Sequence, residues 1–145
     1  MKRRRFGGDA NATFGKARFL LAEAREEVTK LKGDDESPKA RAKLRQAAEK
    51  GWFAMTAAAD AYLSKRGRPI ATSTREVFSA YGEGGSKVAR TELSHTYSHL
   101  HIACGYNDDK SACRIPSVKA SFSKAGRMIH ELSVNGGRRR RRGSK

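Results

Sequence analysis

The sequence predicts an all-α fold, a bundle of four long helices plus one short helix running up and down antiparallel, on three observations. Residues 45–65 hold the only tryptophan, Trp52, and the densest apolar run in the chain. Elsewhere apolar residues recur at three- and four-residue spacing, and no segment alternates with the period of two that a half-buried strand requires. Cap and breaker residues then divide the chain into helix-length pieces.

The central helix is the firmest element. Ser37-Pro38 supplies an N-cap followed by proline at the first helical position, and the pattern continues to about residue 65. From Gly51 to Leu63 only Thr56 and Asp60 are polar, and their i,i+4 spacing puts both on one side. A helix apolar on most faces needs neighbours on several sides, and this run is too short to span a bilayer. Its first half is amphipathic, and Lys39, Arg41, Lys43 and Arg45 are expected to form a solvated basic face.

Around it the other elements follow in order. Phe14, Ala17, Leu21, Ala24, Val28 and Leu31 draw one stripe, so the first helix is expected over residues 12–32, capped by Asp9 or Asn11. Phe19 falls on the far side, a candidate dimer contact. Ser73 with Glu76 has the capping-box form and opens a short helix ending at Gly82. The fourth helix, residues 86–106, is striped by Ala89, Leu93, Tyr97, Leu100 and Cys104. Pro116 opens the fifth, striped by Val118, Phe122, Ala125, Ile129 and Leu132 and stopped by Asn135-Gly136-Gly137. The organisation is thus a basic flexible lead (1–11), a helical domain (12–135) and an arginine-rich disordered tail (136–145).

Charge gives the strongest functional signal. The chain carries 31 Lys and Arg against 15 Asp and Glu, a formal charge of +16. Lys2, Arg3, Arg4 and Arg5 stand at one end; Arg138, Arg139, Arg140, Arg141, Arg142 and Lys145 stand at the other. Removing these ten leaves 21 basic against 15 acidic residues, so the ends hold most of the excess. Like-charged runs repel themselves and bury nothing, which makes them phosphate-seeking segments. Cys104 and Cys113 form no secretory framework, and no apolar leader follows the basic start, so free thiols in a reducing cytoplasm are expected.

Several chemistries are weighed and set aside. His95 and His99, one helical turn apart, could share a metal ion, but nothing at motif spacing completes the set, so no metal is expected and both histidines are read as solvated. Gly82-Glu83-Gly84-Gly85 follows a helix instead of a strand and lacks the lysine of a phosphate loop. No cofactor is implied. There remains Arg90 with His95, an Arg-x4-His spacing whose members stand about 140° apart on a regular helix. They converge only in a frayed first turn or across two subunits.

The phrase Leu44-Arg45-Gln46-Ala47-Ala48-Glu49-Lys50-Gly51-Trp52, a short helix, then Leu100-His101-Ile102-Ala103-Cys104-Gly105-Tyr106 resembles HEPN domains, the higher-eukaryote and prokaryote nucleotide-binding helical bundles. The resemblance covers roughly residues 12–135. It implies a bundle of four or five helices, commonly a homodimer, and in many members metal-independent RNA cleavage by an Arg-x4-6-His motif. Carried to this chain, it gives Arg90 the role of stabilising phosphate charge and His95 that of assisting proton transfer. Thr91 stands where active members usually carry Asn, Asp or His. Three readings follow in order: a non-enzymatic nucleic-acid-binding bundle, RNA foremost; a HEPN-type endoribonuclease, toxin-like; and an assembly or adaptor subunit binding an acidic protein or membrane surface.

Overall fold

The computed structural model describes residues 11–32 and 36–137, which form five helices and no strand. They are α1 (Phe14–Thr29), α2 (Pro38–Lys65), α3 (Thr74–Gly84), α4 (Lys87–Thr96) with a π-helical continuation (Tyr97–Tyr106), and α5 (Ile115–Gly137). The basic segments that carry Lys2 to Arg5 and Arg138 to Lys145 lie outside the described residues.

Local chemistry sets the boundaries. Ser37, Ser73 and Ser86 each accept a hydrogen bond from the backbone N–H three residues on, relieving the orphan donors of α2, α3 and α4. For α1 the cap is Thr13, whose hydroxyl accepts from Lys16 N, and not Asn11; Asp9 lies outside the described residues. Glu76 reaches back to the backbone N–H of Thr72, one residue before the cap, at 2.7 Å. Helix α3 runs two residues past Gly82, and α5 continues through the Asn-Gly-Gly expected to stop it.

Directions follow from side-chain contacts. Arg18 meets Ser133 and Arg25 meets the Phe122 carbonyl, so α1 and α5 are antiparallel. Glu92 pairs with Arg127 and His99 meets Ser121, so α4 also opposes α5. Along α2, Arg45, Glu49 and Trp52 meet Cys104 or Gly105, His101 and Tyr97 in turn, an antiparallel ladder.

Helix α2 is central. Between Gly51 and Leu63 every residue but Phe53 is buried, and Trp52 is 2% exposed. A Cβ at Gly51 would collide with the Phe122 ring, so the missing side chain is what lets α5 approach. The two polar residues of the run are used internally: Thr56 Oγ1 donates to Phe53 O, and Asp60 Oδ1 accepts from Ala71 N at 2.9 Å. Tyr81 Oη donates to Met55 O at 2.8 Å, and full burial pushes its phenol far above the ordinary range.

Two expectations are corrected. Cys104 and Cys113 are joined in a disulfide, both buried, so the free thiols behind the cytoplasmic expectation are absent. The basic face of α2 is only half solvated. Lys39 and Lys43 are exposed, but Arg41 is 6% exposed and binds Asp108 and Cys113 O. Arg45 donates to the carbonyls of Cys104 and Gly105, which end the π segment without helical partners. No helix among the described residues is long and apolar enough to cross a membrane.

Candidate functional site

Arg90 and His95 both lie on the regular part of α4, both exposed, with no hydrogen bond between them. The Arg90 side chain passes Gly82 of α3, where a Cβ would sit 3.5 Å from its Nε. With Arg75, Phe78, Glu83 and Leu93 it lines a shallow groove of about 480 Å³ that does not include His95. Within one chain, therefore, the two residues do not form a common site.

The histidine pair also separates. His95 is exposed, whereas His99 is half-buried, with Nδ1 2.7 Å from Ser121 Oγ and Nε2 2.7 Å from Ala112 O. The expectation of two solvated histidines fails for His99. Its ring ties the π segment to α5 and to the loop before it. Among the described residues no group of three or more His, Cys, Asp and Glu is placed to hold a metal ion.

The π geometry explains the reassignment. Beyond Thr96 the backbone bonds run i→i+5, as in Asn107 N to Ile102 O at 2.9 Å, so the step of about 100° per residue no longer applies. His101 faces α2. Its Nδ1 stands 2.8 Å and 3.1 Å from the two oxygens of Glu49. Its ring stacks on Trp52 at 6.1 Å and lies 5.4 Å and 5.2 Å from those of Tyr97 and Tyr106. A Cβ at Gly105 would collide with the Glu49 carboxylate, so only glycine lets the carboxylate sit there.

Burial pushes the Glu49 carboxyl above its ordinary value of 4.5, against the opposing pull of His101. Between 4.5 and its folded pKa, the folded chain holds a proton there that the unfolded chain has lost. This contribution to stability is complete below 4.5 and is lost as pH rises through the folded pKa. Glu49→Gln keeps an acceptor for His101 and removes the titration. Denaturant unfolding at a series of pH values is expected to show wild type losing stability relative to the variant as pH rises through that window. Parallel profiles would mean that the carboxyl ionises unhindered.

A third arrangement was not visible in the sequence. Between α1 and α5 runs an open groove of about 580 Å³, floored by Leu21, Gly126 and Ile129 and rimmed by Arg18, Arg25, Arg127 and His130. No carboxylate is among its lining residues. Arg18 Nη2 donates to Ser133 Oγ and Arg25 Nη2 to Phe122 O, both at 3.2 Å, so neutral acceptors hold these two guanidiniums. Of the three rim arginines, Arg127 is the one with an acidic partner among the described residues, Glu92 at 3.0 Å.

The Arg18 to Ser133 contact also fixes where the described chain begins and ends. The start of α1 stands beside the end of α5, roughly one interhelical distance of 8–10 Å away. Segments 1–10 and 138–145, with their ten basic residues, are therefore attached at the same end of the bundle. Comparison with family models, with curated proteins and with solved structures finds no match for this chain.

Proposed function

We propose that the chain is a non-enzymatic nucleic-acid-binding bundle, acting first on RNA, which neutralises phosphates with Lys2 to Arg5 and Arg138 to Arg142. One observation carries the reading: the two basic segments attach side by side, so a single polyanion can meet both. The same reading takes the bundle as HEPN-like and as a homodimer. The outer face of α1, where Phe19 is 63% exposed, is the surface offered to a second copy. A cytoplasmic setting belongs to this reading, with the Cys104–Cys113 bridge shielded from soluble reductant by its burial. A nuclease built on Arg90 and His95 would need that second copy, because one chain holds the residues apart.

Counterion release makes the binding measurable. Fluorescence anisotropy with a labelled single-stranded RNA is expected to give an affinity that falls steeply with salt. Replacing Lys2 to Arg5 and Arg138 to Arg142 with glutamine should flatten the log–log slope by up to about 6, at about 0.7 for each phosphate no longer neutralised. Binding that ignores salt, or that is absent at low salt, overturns the reading. RNA cleavage in EDTA that is lost in Arg90→Ala or His95→Ala would move the chain to the nuclease class.

A further inference from the structure

We infer that the groove between α1 and α5 is a phosphate track, which takes the sugar–phosphate backbone of a single strand between Arg18, Arg25, Arg127 and His130. The inference rests on the nucleic-acid reading and gives it a place on the folded domain.

Three features separate this groove from an ordinary solvated face. First, charge is concentrated: three guanidiniums rim the groove, no carboxylate lines it, and of the three only Arg127 has an acidic partner among the described residues, Glu92. Several basic side chains elsewhere on the bundle are matched to carboxylates. Lys50 meets Glu23 and Glu27, Arg68 meets Glu83, and Arg41 meets Asp108. Second, the α1 arginines are held in position without being neutralised. Arg25 crosses above Gly126, where a Cβ would lie 3.2 Å from its Nη2, and reaches the Phe122 carbonyl; Arg18 reaches Ser133. Each uses one donor and leaves the others of its planar fork for phosphate oxygens. Third, the groove runs toward the end where the described chain begins and ends, Arg18 beside Ser133, and the sequence beyond both points is basic.

The dimensions select the ligand. Arg18 and Arg25 stand about 10 Å apart along the helix axis, enough for ~3 nucleotides at a helical rise of 3.4 Å each. Apart from the His130 imidazole none of the groove's lining residues is aromatic, so it offers little on which bases could stack. The contacts therefore follow the backbone and are indifferent to sequence.

The test compares full-length variants of equal charge in anisotropy titrations with a labelled single-stranded RNA. Arg18→Gln/Arg25→Gln removes two groove cations; Lys39→Gln/Lys43→Gln removes two exposed cations from α2. The groove pair is expected to lose affinity roughly twentyfold at about 0.1 M salt and to flatten the salt slope by ~1.4, whereas the α2 pair barely changes either. Arg18→Lys/Arg25→Lys, which restores charge without the fork, should recover most of the binding, and equal thermal midpoints verify the fold. Equal losses in the two glutamine pairs, or no loss in the groove pair, overturn the track while leaving nucleic-acid binding intact. Absence of binding by the unmodified chain at low salt overturns the underlying reading and the track with it.

Discussion

Trp52→Ala is expected to cost about 3–5 kcal/mol of folding stability, a large share of the 5–15 kcal/mol that holds a typical domain together. The indole is 2% exposed, packs edge-on to Tyr97 with ring centroids 5.0 Å apart, and stacks on His101. Its neighbours cannot close the space. Gly51 beside it already admits the Phe122 ring at closest approach, and Tyr97 is also fixed edge-on to Phe78 at 5.7 Å. The lost burial and the residual cavity therefore add. Guanidinium unfolding followed by helical circular dichroism measures the cost, with a midpoint lowered by roughly 10–20 °C in a parallel thermal melt. A loss below about 1 kcal/mol would mean that the indole is not part of the core.

Arg41→Met gives the second large effect, about 2–3 kcal/mol. The guanidinium holds Asp108 at 2.6 Å through Nη2 and Cys113 O at 2.8 Å through Nη1. Methionine fills the same apolar path but strands both acceptors. Asp108 is 30% exposed and regains water, which keeps the cost below that of a fully buried broken pair; the buried carbonyl of Cys113 cannot. Asp108 also has a φ of 45°, a left-handed conformation that an aspartate tolerates better than most residues. Without Arg41, less holds it there. Arg41→Lys should recover little, since one ammonium cannot reproduce the forked geometry. Urea denaturation of the three proteins decides the matter, and a lysine variant as stable as wild type would refute the fork.

Much of the bundle was legible in the sequence because its helices follow simple spacing rules. The boundaries of α2 came from Ser37-Pro38 and from the apolar run, and the α5 stripe is buried from Val118 to Leu132. What was illegible has one main cause. The π segment looks like ordinary helix in sequence, so a wheel drawn through it misplaces His99. Arg41 and Arg45 read as surface because their acceptors are backbone carbonyls and a loop aspartate more than fifty residues away. The cysteine pairing depends on the turn after Tyr106, which spacing does not specify. Arg18 and Arg25 on α1 and Arg127 on α5 are inconspicuous until two distant helices bring them side by side. The shared exit of the chain ends was within reach, since an up-and-down bundle with an even number of long helices returns its last residue to the pole of its first.

That shared pole changes how the basic ends act. If the proposed function holds, once one of them has engaged a polyanion the other is tethered at an effective concentration of roughly millimolar order, so its contact is intramolecular. Two weak grips then behave as one strong one without any added interaction. A ligand too short to touch both gains nothing from this avidity. On the proposed nucleic-acid reading, the length of the polyanion, more than its composition, therefore sets how tightly it is held.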